Sequence, residues 1–92
     1  MVLEDGTVIE AEAFRIPISE DYPRGIKYSF QHYDPETGRT LLRYDNHAEH
    51  SGARHHKHLG SKRTCSIDFE SLQAHFKKFM IEARTDVGRK NP

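Results

Sequence analysis

Two segments of alternating apolar and polar residues, 26–33 and 40–46, flank a turn, and this arrangement constrains the fold more than any other feature. The turn is Asp34-Pro35-Glu36-Thr37-Gly38. Asp bonds its own backbone, Pro presets φ, and Gly supplies the positive φ with which the next strand begins. One parity of the two segments carries Tyr28, Phe30, Leu42 and Tyr44, and the other carries Arg43 and Asp45. The sequence therefore predicts an antiparallel hairpin with one buried face.

Three further segments have the composition of strands. Residues 7–16 alternate loosely, and residues 55–59 and 62–67 are short runs on either side of Gly60-Ser61. Thr64, Cys65 and Ile67 favour a strand in the last run, and Cys65 is expected to be a small buried hydrophobe. We therefore expect an antiparallel sheet of about four strands, whose order the sequence does not decide.

Helical spacing of apolar residues predicts one amphipathic helix over residues 69–84. Asp68 is placed as its N-cap, and Ile67 and Leu72 occupy the positions of a hydrophobic staple. The predicted apolar stripe consists of Phe69, Leu72, Phe76, Phe79, Met80 and Ala83. The predicted fold is α+β, with this C-terminal helix packed on one face of the sheet. We expect residues 1–92 to form a single small domain, ordered over about 7–85, with a frayed tail at 86–92.

Length and composition narrow the class of protein. A chain of 92 residues buries a thin core, which a partner or a second copy would complete. The single cysteine excludes an internal disulfide and a zinc site built from cysteines. No apolar run approaches the roughly 20 residues of a membrane span, and the N-terminus lacks a signal pattern. We expect a soluble cytoplasmic protein without membrane contact.

The middle of the chain is basic and rich in histidine although the net charge is zero. Residues 39–63 carry six basic and two acidic side chains and five of the seven histidines. Residues 1–38 carry eight acidic and three basic side chains. The basic centre is consistent with a polyanion site, or with neutralisation by the acidic first third inside the fold.

General acid–base catalysis on RNA is one function that this segment supports. The 2′-OH of RNA is a built-in nucleophile, so a ribonuclease without metal needs a base, an acid and a cation near the phosphate. Two imidazoles on one side of a strand lie ~6–7 Å apart, a workable span across a phosphate. The catalytic candidates are His47, His56, His58 and Asp45, and the phosphate-binding candidates are Arg43, Asn46, Arg54 and Lys57.

Two other interpretations stay open. Imidazoles with Asp45 or Glu49 can bind a divalent metal, although no ligand pattern of defined spacing is present. The histidines can also lie on a solvated loop without a task. The corresponding alternative function is a module that binds nucleic acid or metal without turnover.

Single residues carry alternatives of their own. Asp45 either orients an imidazole or caps the strand end, and Asn46 bonds either a phosphate or the loop backbone. Arg43 is expected to face solvent, free for phosphate, or else to form a cross-strand salt bridge. His32 continues the apolar parity and is expected to be structural, whereas His75 is expected on the helix surface.

Arg43-Tyr44-Asp45-Asn46, His47, His50 and His55-His56-Lys57-His58-Leu59 together resemble the TumE family of toxins. That family has an R-[YW]-D-N motif closing a strand, a His-rich loop, and an H-H-x-H segment before a C-terminal helix. The resemblance covers roughly residues 7–85. The chain departs from it in the loop, where Ala48-Glu49 separates His47 from His50 and no proline is present.

The resemblance implies a toxin component of a toxin–antitoxin system, partnered by a helix-turn-helix antitoxin encoded beside it. It also implies RNA cleavage, and hence RNA as substrate. No cofactor is expected, with a divalent metal at the histidines as the alternative. The second face of the sheet would be open to RNA, to the antitoxin or to a second copy in a homodimer.

Overall fold

The computed structural model describes residues 1–47, 55–60 and 63–90, with side chains to residue 85. Its elements are β1 (Val8–Arg15), β2 (Ile26–Asp34), β3 (Arg39–Asp45), β4 (His56–Leu59), β5 (Arg63–Ser66) and α1 (Leu72–Lys90). All neighbouring strands pair antiparallel, in the order β1-β2-β3-β4-β5. The predicted α+β fold with one C-terminal helix is confirmed, with five strands where about four were expected.

The predicted hairpin joins β2 to β3. Gly38 has φ +72°, and its amide donates to the Asp34 carbonyl oxygen at 2.8 Å. The Asp34 carboxylate accepts the Glu36 amide at 3.0 Å, so the turn is closed by the side chain that the sequence singled out. In the resulting register Phe30 lies opposite Tyr44, which confirms the predicted buried parity.

The sheet has two unlike faces. The helix face carries the buried parity, and α1 packs Phe79 and Ala83 against it. The core consists of Ile9, Tyr28, Phe30, Leu42, Tyr44, Phe79 and Ala83. The open face carries the other parity, including Arg43 and Asp45, and no described helix packs on it.

Two predictions about burial have different outcomes. His32 is buried, and its Nε2 lies 2.8 Å from the Thr7 hydroxyl, which confirms the structural role. Cys65 is exposed, so its predicted burial is wrong. The reason is its position on β5, which ends the sheet and exposes all four of its residues.

The helix begins and ends later than predicted. It starts at Leu72 rather than residue 69, and the Ser71 hydroxyl accepts the Ala74 amide at 3.1 Å. Ser71 is therefore the N-cap, and the assignment of Asp68 is wrong. The helix continues to Lys90 instead of ending near residue 84. No helix in the described part of the chain is long and apolar enough to cross a membrane.

Candidate functional site

Four polar side chains meet on the open face where β3 ends and β4 begins. Asp45 lies opposite His56, and Arg43 lies opposite His58. Directly opposed residues of antiparallel strands project from the same face. The strand pairing therefore brings together four of the residues that the sequence selected.

The Asp45 carboxylate is the centre of this group. Its Oδ1 lies 3.2 Å from His56 Nδ1, and its Oδ2 lies 3.2 Å from His58 Nε2 and 2.9 Å from Arg43 Nε. The ring centroids of the two histidines are 6.1 Å apart, close to the expected spacing. Arg43 therefore forms its ion pair with Asp45 of the same strand, and the partners of Asp45 on the neighbouring strand are the imidazoles of His56 and His58.

Solvent reaches the four side chains unequally. Asp45 and His56 expose only 4% and 3% of their side chains, whereas His58 and Arg43 expose 25% and 32%. His58 and Arg43 can therefore touch a bound molecule. Asp45 and His56 are buried beneath them.

The contacts of His58 suit a proton-transfer group. Its Nδ1 lies 3.1 Å from the hydroxyl of the exposed Thr64. Its Nε2 lies within ion-pair distance of Asp45 but is not hydrogen-bonded to it. An imidazole can accept a proton at one ring nitrogen and release one from the other. The Asp45 carboxylate lies on one side of the ring and the exposed Thr64 on the other, so a bound molecule can reach the ring from the Thr64 side.

A third imidazole stands on the other side of Arg43. His47 follows β3, is half-buried, and places Nδ1 3.4 Å from Arg43 Nη2. The guanidinium therefore contacts Asp45 through Nε and His47 through Nη2. We call Arg43, Asp45, His47, His56 and His58 the open-face cluster.

The remaining predicted site residues lie elsewhere. Lys57 projects from the helix face, because neighbours in a strand alternate, and pairs with Glu82 of α1. The Asn46 side chain accepts the Tyr28 amide at 2.9 Å and donates to the Ile26 carbonyl at 2.7 Å, so it bonds the backbone. Arg54 and His50 lie outside the described residues. Phosphate binding by Lys57, Asn46 and Arg54 stays a prediction.

A second group of titratable rings lies on the helix face. The Tyr28 hydroxyl lies 2.9 Å from both His55 Nδ1 and His75 Nε2. His75 is only 2% exposed, so its predicted surface position is wrong. Its spacing from Leu72 and Phe79 matches the helical period and could have placed it on the buried stripe.

Burial shifts the pKa values of two of these rings, His75 and Tyr28. It lowers the pKa of His75 to about 4, with smaller contributions from the positive charges of His55 and Lys78. Burial also raises the pKa of Tyr28, assisted by the negative charge of Asp45. Near neutral pH, His75 and Tyr28 therefore both remain uncharged.

Metal binding has little geometric support in the described residues. No three His, Cys, Asp or Glu side chains among them are arranged to hold an ion. In the open-face cluster, Nδ1 of His56 is hydrogen-bonded to the Asp45 carboxylate, and Nε2 of His58 lies 3.2 Å from it.

These features describe a small α+β protein whose open sheet face carries histidine, aspartate and arginine in contact. A family model described as Toxin TumE matches residues 1–87, and the chain belongs to that family. The family resemblance drawn from residues 43–59 is thereby confirmed. Membership identifies the chain as a toxin and implies an antitoxin partner. No curated protein and no solved structure matches the chain.

Proposed function

We propose that this toxin is an endoribonuclease that uses the open-face cluster for general acid–base catalysis without a metal. One observation carries the proposal. The nearly buried carboxylate of Asp45 contacts the imidazoles of His56 and His58 and the guanidinium of Arg43. Of these three partners, His58 and Arg43 are exposed to solvent. Carboxylate, imidazole and cation are the groups that phosphodiester cleavage through the 2′-OH requires.

His58 and His47 are the proposed proton-transfer groups, because Arg43, the proposed phosphate-binding residue, lies opposite His58 on the neighbouring strand and contacts His47. One imidazole removes the 2′-OH proton as the 2′ oxygen attacks phosphorus. The other, protonated, gives its proton to the departing 5′ oxygen, and a 2′,3′-cyclic phosphate results. Asp45 and His56 are positioning residues in this proposal, because neither reaches the surface.

The first test is cleavage of single-stranded RNA by the purified chain, with and without EDTA, between pH 5 and pH 9. We expect cleavage that survives chelation and peaks near pH 6–7, where one imidazole is neutral and the other protonated. Activity that vanishes with EDTA and only rises with pH would contradict the proposal and favour metal-bound hydroxide. Binding of RNA without cleavage would favour the alternative of a module without turnover.

Variants then locate the site. His58→Ala and His47→Ala should each lower the cleavage rate about 10²–10⁴-fold, the usual contribution of a general acid or base. Arg43→Ala should also lose activity, whereas Arg39→Ala, exposed at the far end of β3, should not. Growth of cells that express each variant should follow the same order. Full activity of His58→Ala with an unchanged melting temperature would refute the mechanism.

A further inference from the structure

A groove runs across the open face from β1 to the open-face cluster. It encloses about 450 Å³, and its lining includes Glu12, Phe14, Lys27 and Gln31. Arg43 and His47 of the cluster line the same groove. A molecule bound in the groove would therefore contact the groups that we assign to phosphate binding and proton transfer.

Phe14 is the unusual residue of this groove. Its side chain is 57% exposed although it lies within a strand, directly opposite Lys27. It belongs to a polar sheet face that no described helix covers. The ammonium of Lys27 itself lies 6.0 Å from the centroid of the Tyr22 ring. Aromatic rings near a cation bind single-stranded nucleic acid, because any base can stack on a ring while the cation meets the backbone.

The polar side chains of the groove suit the edge of a base. Glu12 lies opposite Ser29, and Gln31 lies opposite Arg43, so both project from the open face. A carboxylate accepts hydrogen bonds from exocyclic amino groups. The Gln31 amide donates from Nε2 to the Thr40 hydroxyl at 2.9 Å and has a carbonyl oxygen that can accept. Lys27 and Arg43 supply positive charge along the same path.

We propose that this groove binds the nucleoside next to the cleaved phosphate, with its base stacked on Phe14 and Lys27 at the neighbouring phosphate. Glu12 favours bases with an exocyclic amino group over uracil. The inference rests on the proposed ribonuclease function, since it identifies the substrate subsite of that site. It makes the groove, in addition to the cluster, a determinant of which RNA is cut.

The test separates binding from cleavage. The binding probe is a short single-stranded oligodeoxynucleotide, which lacks the 2′-OH and cannot be cleaved. Phe14→Ala should weaken its affinity roughly 5- to 150-fold, the range for loss of one aromatic stacking partner. Phe14→Trp should keep the affinity, and so should Ile18→Ala, which truncates an exposed apolar residue outside the groove.

A second probe carries a single ribonucleotide, which defines the cleaved phosphate, with an abasic residue on one side of it, and its readout is the rate of cleavage at limiting probe concentration. If the groove binds the adjacent base, the abasic site should lower this rate for the parent chain and change it little for Phe14→Ala. Replacing adenine or cytosine by uracil at that position should lower the rate for the parent and not for Glu12→Gln.

The outcomes distinguish the two proposals. Phe14-dependent binding without any cleavage would overturn the ribonuclease function and leave the groove as a nucleic-acid site. Cleavage by the parent with equal affinity in Phe14→Ala would overturn the groove and leave the function. Absence of oligonucleotide binding by the parent would overturn the groove proposal. So would loss of antitoxin binding in Phe14→Ala with unchanged affinity for nucleic acid, which would make this face a protein contact.

Discussion

Replacing His75 with glutamine should flatten the acid side of the stability curve. His75 is held in the core at 2% exposure and bonds the Tyr28 hydroxyl at 2.9 Å. Its pKa in the folded chain is about 4, against 6.5 for an ordinary histidine. Between these values the unfolded chain binds a proton at residue 75 that the folded chain does not. The free energy of unfolding must therefore fall as the pH drops from 6.5 towards 4.

The size of this effect follows from the two pKa values. One pKa unit corresponds to 1.36 kcal/mol, so a fall from 6.5 to about 4 costs the fold about 3 kcal/mol by pH 4. The contribution of neutral His75 to the free energy of unfolding is complete above pH 6.5, and it is lost progressively as the pH falls below 6.5 towards 4. A domain of this kind has roughly 5–15 kcal/mol in total, so the loss is measurable.

Urea unfolding at half-unit steps from pH 7.5 to pH 4.5 measures the effect. His75→Gln costs some stability at pH 7 because the packing changes, but it removes the titrating group. The free energy of unfolding of the parent should approach that of the variant as the pH falls. Gln73→Ala, at an exposed position of the same helix, should keep the parental slope. Parallel curves for parent and His75→Gln would refute the assignment of a buried neutral imidazole.

Two further predictions concern the N-cap of α1 and the open-face cluster. Ser71→Ala should lower the free energy of unfolding by about 0.5–2 kcal/mol in urea melts, because it removes the acceptor for the Ala74 amide. Asp68→Ala should leave the free energy of unfolding nearly unchanged. A larger loss for Asp68→Ala than for Ser71→Ala would show that Asp68 is the N-cap. Asp45→Asn should lower the proposed RNA cleavage about 10²–10⁴-fold, while Arg39→Ala, exposed at the far end of β3, should keep it. Equal losses in both variants would contradict a site at the open-face cluster.

The hairpin was predictable because its signals are local. Asp34 and Gly38 determine the turn, and the alternation on both sides determines which side chains are buried. The register that places Phe30 opposite Tyr44 follows from that turn and the demand for one apolar face. Once β4 pairs with β3 in the observed register, Arg43 lies opposite His58 and Asp45 lies opposite His56. These four side chains therefore meet on one face.

The start of the helix was not predictable in the same way. Asp68 and Ser71 are both good N-cap residues, and the apolar spacing extends back to Phe69. The structure uses Phe69 differently: its ring stacks on His55 at a centroid distance of 4.3 Å and an interplanar angle of 6°. That contact joins two elements that the sequence pattern around the helix start does not reveal, and residues 67–71 precede the helix.

Strand alternation also divides a histidine-rich segment that sequence composition presents as one cluster. His55 lies against Tyr28 and Phe69 on the helix side, and His56 contacts Asp45 on the open face. His58 returns to the open face because it is two residues further along β4. Counting basic side chains therefore overstates the charge available to one ligand, since Lys57 is directed at Glu82. The residues that contact the Asp45 carboxylate on the open face are better candidates for a functional site than the histidine-rich segment as a whole, because they are in contact around one charged group.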